Sequence, residues 1–535
     1  MSAVATERTD AASIGLDGTR TPWLIAFVVS IATFMEVLDI SIANVALRHI
    51  AGSVAASYDE STWILTSYLV ANAIVLPISG WLATVIGRKR FYMLCVATFT
   101  ASSLLCGLAW SLHSLILFRI LQGIGGGGMA PSEQAILADV FPPDKRGQAF
   151  AFYGVAVVVA PTIGPTLGGW ITDTASWHWI FFINVPMGLI SLLLVGALVR
   201  EPAASENERR QLLAKGLRID FLGFVLVALG LGCLEVVLDE GQRSDWFSSP
   251  FIVTFAVVSA ISLIALVPWE LTRADPIVDL RLLGRRQFGT CFLVMLLIGA
   301  ILISTTQLIP QLLQTEFGYT ATLAGMALSP GGAVLMLLMP IAGRLTDSVQ
   351  PKYLIATGSA IVALSMWHMT GFDGNMTFAY AAWARVFTAA GLPFLFIPLT
   401  TASYGGLPKE STNQAAGLFN VARNLGGSIG VALTQTLQQQ REQFHHSRLV
   451  EHLVPSGIQY QETLKQITEH FTRLGSSSAD AASQAINWIG ATIEQQAVFQ
   501  SYIDVFWVLA IVSAFAIPAA FVLRPVELGK GPGVH

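Results

Sequence analysis

The chain has 535 residues, of which 53% are hydrophobic and only 12% are charged, and its mean hydropathy is +0.62. Soluble domains carry about 25% charged residues, so this composition excludes a large soluble protein and indicates a polytopic membrane protein. The net charge is −4 and the sequence has no basic block, which argues against a nucleic-acid partner. The four cysteines have no metal-ligand spacing, so neither a disulfide framework nor a metal site is predicted.

Residues 1–21 form a polar tail without the apolar core of a signal peptide. Apolar runs long enough to cross a bilayer then recur fourteen times, and each predicts a transmembrane helix. They cover residues 22–45, 61–83, 91–110, 114–138, 148–172, 178–199, 219–238, 250–269, 287–310, 321–343, 353–370, 377–402, 415–437 and 504–523.

The distribution of Lys and Arg predicts the orientation of these helices. Most of the 30 basic residues fall in loops that share one side if the N-terminus is cytoplasmic, including Arg88-Lys89-Arg90, Lys145-Arg146 and Arg285-Arg286. Cytoplasmic loops carry an excess of basic residues. We therefore expect both termini in the cytoplasm.

Two acidic residues lie within the first apolar run. Glu36 and Asp39 are three residues apart, so they share one face of a helix. An ionisable side chain at membrane depth is costly unless it is paired or hydrated, which makes both residues functional candidates. Two carboxylates this close disfavour each other's charge, so we predict a proton-carrying pair. The alternative is that either carboxylate only forms a salt bridge that fixes a helix.

Arg119 in the fourth run is the expected partner of these acids. Helical rise places Arg119 and Asp39 at a similar depth, about 10 Å from the same membrane face. An Asp39–Arg119 or a Glu36–Arg119 pair is therefore predicted, and protonation of the carboxylate would release it. A static buried salt bridge is the alternative.

An internal repeat divides the chain into two halves. Several residues recur at an offset of 266 across two helices and their loop, a common property of transporter folds. The matching residues are Arg119 with Arg385, Pro142 with Pro408, Gln148-Ala149 with Gln414-Ala415, and Gly164 with Gly430.

The repeat predicts an all-α membrane protein with two six-helix halves and an inserted helix pair. Between the last two helices lies a long segment that reads as polar helices outside the membrane, either a solvated hairpin or a docking surface for a partner. The predicted boundaries are a cytoplasmic tail at 1–21, the first half at 22–199, a connector with inserted helices at 200–286, the second half at 287–437 and 504–523, a long periplasmic segment at 438–503 and a cytoplasmic tail at 524–535.

Several motifs along these helices resemble those of the major facilitator superfamily, specifically its fourteen-helix drug:proton antiporters of the EmrB/QacA type. The resemblance covers nearly the whole chain and implies that superfamily's fold. The matching stretches are Leu38 to Leu47, Gly80 to Arg90, the RxxQG of Arg119 to Gly123, the GPxxGG of Gly164 to Gly169, and Trp177 to Pro186.

The resemblance implies roles for residues in these motifs. In the family, the arginine of RxxQG is implicated in proton coupling, which implies that role for Arg119 beside Glu36 and Asp39. The loop motif departs from the family because Thr84 and Val85 replace its Asp and Arg, whereas the second copy keeps its acid as Asp347. The expected gating and hinge positions are Gly80, Gly87, Arg88, Gly164, Pro165, Gly168, Gly169 and Asp347.

Other polar residues within the apolar runs are candidates for a substrate path or for second-half functions. Glu133 is a candidate for attracting a cationic substrate, whereas Glu235, in the inserted pair, is expected to be peripheral. For Arg423 the alternative is that it only reaches the membrane interface. The substrate-path candidates are Glu133, Gln122 and Asn44, and the second-half candidates are Arg385, Arg423 and Asn424.

Together these features predict a proton-driven exporter of hydrophobic or amphipathic drugs in the bacterial inner membrane. The chain has no ATP-binding loop motif, so the proton gradient is the expected energy source and no cofactor or enzymatic activity is predicted. Resemblance to EmrB-type pumps implies a periplasmic membrane-fusion adaptor and an outer-membrane channel as partners. The alternatives are a transporter of a defined metabolite, such as a siderophore or an amino acid, and a membrane scaffold or sensor.

Overall fold

The computed structural model is helical, and its described residues contain no β-strand. The structure describes residues 21–142, 145–201, 206, 209–210, 220–273, 276–374, 376–408, 411–451 and 453–525. The predicted tail at 1–21 lies almost wholly outside the described residues, as do most of the connector at 200–218 and the last ten residues.

The first half is built from eight helices, two of them short. In a bilayer every backbone polar group must find a partner within the protein, so apolar runs of this length form helices. The helices are α1 (Thr21–Ser53), α2 (Tyr58–Ile86), α3 (Arg88–Gly107), α4 (Leu112–Gly126), α5 (Met129–Val140), α6 (Arg146–Thr174), α7 (Trp179–Phe182) and α8 (Asn184–Leu198).

The inserted pair and the second half follow. The predicted long segment at 438–503 is helical, being formed by extensions of two helices and one separate helix; we call it the hairpin. The helices are α9 (Phe221–Glu240), α10 (Pro250–Thr272), α11 (Arg286–Thr315), α12 (Ala321–Ser348), α13 (Pro351–Met369), α14 (Phe378–Ser403), α15 (Thr412–Glu451), α16 (Ile458–Arg473) and α17 (Ser478–Phe521).

Among the described residues, eleven helices are long and apolar enough to cross a membrane. Each of the fourteen predicted runs is helical, but those at 114–138, 353–370 and 415–437 are not among the eleven. The first of these is divided between α4 and α5 at Gly127-Gly128, which shortens both pieces. The count of fourteen spans therefore stays a prediction.

The internal repeat is also seen in the residues at which helices begin. α4 begins at Leu112 and α14 at Phe378, while α6 begins at Arg146 and α15 at Thr412. Both pairs of starting residues differ by 266, the offset of the repeated residues. The two halves thus use corresponding helices to present corresponding side chains.

Two helix pairs provide the main contacts between the halves. α6 packs along α12, and α2 packs along α15. The inserted helix α9 packs against its partner α10, against α2 of the first half and also against α15 of the second half. We call the end of the bundle that carries Arg88, Lys89 and Arg90 the basic end.

Candidate functional site

A buried ion pair lies between α1 and α4 in the first half. Arg119 Nη1 donates to Asp39 Oδ2 at 2.6 Å, and the two residues are 0% and 2% exposed. The other carboxylate oxygen accepts hydrogen bonds from Gln122 Nε2 at 3.0 Å and from Asn184 Nδ2 at 2.7 Å. Of the two predicted pairs, this is the one that forms.

Arg119 is held on several sides. Its Nε donates to the Ile64 carbonyl at 3.1 Å, and its guanidinium carbon lies 4.3 Å from the centre of the Tyr68 ring. Its Nη2 has no hydrogen-bond partner among the described residues. A buried arginine in this setting depends on the Asp39 charge, because removal of one partner leaves the other charge buried and uncompensated. A proton arriving on Asp39 would therefore disturb the whole cluster.

Glu36 lies one turn along α1 from Asp39 and has a different set of partners. Its Oε1 accepts hydrogen bonds from Asn72 Nδ2 at 3.1 Å and from the Tyr68 hydroxyl at 3.5 Å. Its Oε2 has no partner among the described residues, and the side chain is 6% exposed. Tyr68 thus lies between Glu36 and Arg119. Glu36, Asp39 and Arg119 therefore belong to one polar cluster, in which the two carboxylates have separate partners.

The polar cluster continues across the interface between the halves. Asn424 Nδ2 donates to Asn72 Oδ1 at 3.4 Å, and the neighbouring Arg423 lies within electrostatic reach of Glu36 and Glu133. Arg423 is 9% exposed and donates to the hydroxyl of Tyr153. The alternative that Arg423 reaches the membrane interface is therefore wrong, because its guanidinium is buried and donates a hydrogen bond to Tyr153 of the other half.

The three predicted substrate-path residues are not brought together. Gln122 belongs to the ion-pair cluster, where it contacts both Asp39 and Arg119. Glu133 is fully buried in α5 and accepts a hydrogen bond from Ser30 at 2.5 Å, whereas Asn44 is exposed on α1. No shared surface joins them.

At the basic end the two halves meet at two corresponding contacts. Gln148 Nε2 donates to Asp347 Oδ2 at 2.9 Å, which joins α6 to α12. Asn413 Nδ2 donates to Thr84 Oγ1 at 3.2 Å, which joins α15 to α2. Thr84, which replaces the family's acid, therefore still provides a contact between the halves.

Small residues make both contacts close. A Cβ at Gly80 would lie 2.8 Å from the Asn413 carbonyl oxygen, and one at Gly343 would lie 2.9 Å from the Gly147 carbonyl oxygen. Deeper in the bundle, Tyr153 also donates to Asn420 Oδ1 at 2.9 Å. These contacts close the basic end.

Gly87 and Arg88 shape the turn between α2 and α3. Gly87 has φ +99°, a left-handed conformation that favours glycine. Glu201 Oε1 accepts a hydrogen bond from the Arg88 backbone N–H at 2.6 Å, which caps α3 with a carboxylate. The Arg88 side chain reaches the Ala135 carbonyl at 3.1 Å and pairs with Asp139, so this turn is tied to α5.

The GPxxGG stretch of α6 lies between the two halves. A Cβ at Gly164 would lie 2.2 Å from Ser41 Oγ, and one at Gly168 would lie 3.0 Å from Ile42. A Cβ at Gly169 would lie 3.0 Å from Thr322 of the second half. Pro165 removes a backbone donor inside the helix. The glycines thus allow close packing of α6 on α1 and on α12.

The functional contacts that sequence reasoning missed come from amides and hydroxyls. Asn184, in the Trp177 to Pro186 stretch that was used only as family evidence, donates to Asp39. Its only sequence signal was an amide among apolar residues. Tyr153 and Asn72 lie in no motif, and the stretch from Asn420 to Gly427, which resembles the family's second-half motif, does not by itself indicate the interface.

The sequence matches the family described as Major Facilitator Superfamily over residues 29–431. The "Multidrug export protein EmrB" of Haemophilus influenzae is 40% identical over 492 residues, which is 91% of this chain and 92% of that protein. The chain belongs to the EmrB-like drug efflux family of the major facilitator superfamily. The predicted family is confirmed, and this superfamily member is a transporter and not an enzyme.

Two further comparisons bear on this EmrB-like chain. The "Fatty acid resistance protein FarB" of Neisseria gonorrhoeae is 34% identical over 520 residues, covering 97% of this chain and 99% of that protein. The structure of the proton:xylose symporter XylE, bound to 6-bromo-6-deoxy-D-glucose, has a TM-score of 0.60 at 14% identity, with 95% of this chain and 97% of that chain covered. The structural similarity to XylE confirms the all-helical fold.

The repeat of this EmrB-like chain is chemically unequal. Arg385 corresponds to Arg119 and is also fully buried, but its Nη2 donates only to Thr306 Oγ1 at 3.3 Å. Its Nε and Nη1 have no hydrogen-bond partner among the described residues. The second half therefore repeats the arginine without repeating the carboxylate.

A cavity of about 600 Å³ lies where α1, α6, α8 and α12 meet. Its walls are mostly apolar, and Phe27 is 56% exposed. The aromatic lining residues are Trp23, Phe27, Phe34 and Phe152. Arg344 is its charged group, and Ser30, the partner of Glu133, lies in its wall. We call it the aromatic cavity.

Proposed function

We propose that this transporter is a proton-driven antiporter that exports hydrophobic or amphipathic drugs across the bacterial inner membrane. The observation that carries the proposal is the buried Asp39–Arg119 pair at 2.6 Å, with Gln122 and Asn184 on the same carboxylate. A proton on Asp39 weakens an interaction that links α1, α4 and α8. Binding and release of a proton can therefore bias the packing of the first half.

The basic end is assigned to the cytoplasm in this proposal, because cytoplasmic loops carry the excess of Lys and Arg. The contacts Thr84–Asn413 and Gln148–Asp347 then close the cytoplasmic side. Export requires these contacts to open and reform as the halves rock around a central path.

The substrate class is supported by the aromatic cavity. Its volume of about 600 Å³ falls in the range of about 300–1,000 Å³ of small-molecule sites. Phe27 and Phe152 suit an apolar body, and Arg344 suits a polar or anionic group. The names of the relatives, multidrug export for EmrB and fatty acid resistance for FarB, agree with apolar and amphipathic substrates.

The hairpin supports a partnership with a periplasmic adaptor and, through it, an outer-membrane channel. α16 is amphipathic but contains no buried residue. Its first residue, Ile458, and Leu474, which directly follows the helix, are exposed apolar side chains. Deletion of residues 440–500 should preserve dye transport in vesicles and abolish drug resistance in cells. Loss of both activities would favour a scaffold or sensor.

The decisive experiment measures dye efflux from vesicles under an imposed pH gradient. We expect Asp39→Asn to abolish gradient-driven transport while dye binding is retained, and Glu36→Gln to report whether the second acid also carries the proton. Asp173→Asn, an exposed acid in α6, is the matched control. Full gradient-driven transport by both buried-site variants would contradict the proposal.

A further inference from the structure

Acidic residues on the inserted helix α9 form a polar line from the end opposite the basic end towards the centre of the bundle. Glu240 Oε1 accepts hydrogen bonds from Thr62 Oγ1 and Thr66 Oγ1, both at 3.1 Å. Asp239 also accepts a hydrogen bond from Thr66, and Arg243 lies 3.2 Å from Glu240. Thr62 and Thr66 belong to α2, so this end of α9 is fixed to the first half.

Glu235 lies one helical turn deeper, on the same side of α9 as Asp239. Ser428 Oγ of α15 donates to Glu235 Oε1 at 2.7 Å, and Glu235 is 6% exposed. The inserted helix therefore contacts both halves through acidic side chains. A purely peripheral helix would bury apolar side chains here, because an acid at this depth is costly.

A small cavity lies between Glu235 and Asn424. It has a volume of about 20 Å³ and lies between α2, α9 and α15. Its polar groups are Glu235 and Asn424, and its other lining residues, among them Ala73 and Val421, are apolar. A volume above roughly 10–15 Å³ accommodates one water molecule if two or more polar partners are present.

The same Asn424 reaches the central acid. Its Nδ2 donates to Asn72 Oδ1 at 3.4 Å, and Asn72 Nδ2 donates to Glu36 Oε1 at 3.1 Å. Asn72 belongs to the first half and Asn424 to the second, so this amide pair crosses the interface. Relative movement of the halves separates the two amides and changes the access of the cavity to Glu36.

We propose that α9 provides a proton route in which Glu235 relays protons between the outer end of the bundle and Glu36, with the Asn72–Asn424 contact as its gate. A proton enters at Asp239 and Glu240, passes to Glu235, and crosses the cavity on water to Glu36. Each carboxylate gives up the proton that it received and returns to its starting state. The amides orient water and do not carry the proton themselves.

The charged and titratable groups around Glu235 agree with a route for protons. Asp239 and Glu240 lie above it on α9, with Arg243 at the entrance. Beyond the gate, α15 presents Arg423, which acts on both Glu36 and Glu133. Arg243 at the entrance and Arg423 beyond the gate repel a free metal cation. A proton can still pass, because it moves between neighbouring oxygens.

This inference rests on the proposed proton coupling, and the test separates the two. Right-side-out proteoliposomes containing a pH-sensitive dye are acidified outside, and substrate-dependent proton uptake is measured. Glu235→Gln keeps an oxygen for Ser428 but cannot titrate. We expect its proton uptake to be about tenfold slower, with substrate exchange at equal pH within about twofold of wild type, because exchange requires no net proton movement. Glu270→Gln, a buried acid of α10, is the control that should leave both rates unchanged.

Two cavity variants test the route without removing a titratable group. Ala73→Leu fills the cavity and should slow proton uptake as Glu235→Gln does, whereas Val421→Ala enlarges it and should not. Hydroxyl-radical footprinting, which needs no transport, should oxidise Leu231 beside the cavity in wild type and less in Ala73→Leu.

The outcomes are distinguishable. Wild-type proton uptake in Glu235→Gln, together with a coupled wild type, would overturn the route and leave the antiport proposal intact. Absence of substrate-dependent uptake in wild type would overturn both. Slow uptake in Glu235→Gln together with equally slow exchange would assign Glu235 to structure alone and overturn the relay.

Discussion

Asn413 of α15 donates a hydrogen bond to Thr84 of α2, and Gln148 of α6 donates one to Asp347 of α12. The two bonds join corresponding helix pairs, although the residue that corresponds to Gln148 by the offset of 266 is Gln414, next to Asn413. One contact uses a hydroxyl acceptor and the other uses a carboxylate. Hydrogen bonds to charged groups are stronger than those between neutral groups. The two contacts that close the basic end are thus unequal, and the Thr84 contact is the weaker one.

Asn413→Ala should therefore open the basic end. Loss of a neutral hydrogen bond costs about 0.5–1.5 kcal/mol, which corresponds to a change of about two- to tenfold in the population of the open form. Spin labels at the exposed residues Arg90 and Ser348 should report longer distances by pulsed electron resonance. Thr290→Ala, which removes a hydroxyl bonded only within α11, is the control. An unchanged distance distribution would show that the Asn413–Thr84 hydrogen bond does not hold this side closed.

Gly164→Ala should destabilise the transporter because its Cβ would lie 2.2 Å from Ser41 Oγ. Overpacking of this kind typically costs about 1–3 kcal/mol. Thermal unfolding in detergent should show a lower melting temperature. Addition of Ser41→Gly should restore part of the loss, because it removes both Oγ and the Cβ that would lie 2.5 Å from the new methyl group. Gly490→Ala, in α17 with open space around it, should be neutral or stabilising. Equal melting temperatures for Gly164→Ala and wild type would disprove close packing at this site.

Replacement of the two repeated arginines should have opposite effects. Arg119→Met leaves Asp39 buried without its partner and should cost about 3–5 kcal/mol. Arg385→Met removes a buried cation that has one weak hydrogen bond and should be neutral or stabilising. Scanning fluorimetry of the 13 tryptophans measures both changes. A similar loss in both variants would mean that Arg385 has a counter-ion in the native protein.

The hairpin should pack more tightly at acid pH. Burial, followed by the charge of Glu494, raises the pKa of Glu442, while His446 opposes the shift. Burial, followed by the charge of Glu442, also raises the pKa of Glu316. A carboxyl group with a raised pKa in the packed state binds protons more tightly there, so its contribution is present at low pH and lost as pH rises.

Hydrogen exchange of α16 at about pH 5 and about pH 8, corrected for the intrinsic rate, measures this effect. We expect greater protection at the lower pH in wild type and a smaller difference in Glu442→Gln. Glu469→Gln, an exposed acid of α16, should behave as wild type. A pH difference that persists unchanged in Glu442→Gln would contradict the assignment to Glu442 and leave Glu316 as the responsible group.

The sequence predicted the helices and the ion pair because both depend on local rules. Apolar length defines a helix that can span a bilayer, and helical rise placed Asp39 and Arg119 at one depth. The internal offset likewise predicted corresponding positions in the two halves. Each of these inferences needs only spacing along the chain.

The interface between the halves could not be predicted in this way. The contacts of Asn72 with Asn424 and of Tyr153 with Asn420 depend on how two bundles are rotated against each other. Spacing carries no information about that rotation. The contact of Glu235 with Ser428 could not be predicted for the same reason, since the two residues are 193 positions apart in the sequence.

Arg423 of the second half lies within electrostatic reach of Glu36 and Glu133 of the first half, so electrostatic attraction contributes to the interface between the halves. The first half presents two acids and the second half presents an arginine, so the halves attract each other where they meet whenever the acids carry charge. Each proton taken up by an acid removes part of that attraction, and each proton lost restores it. Under the proposed proton coupling, proton occupancy would therefore set part of the work required to separate the two halves.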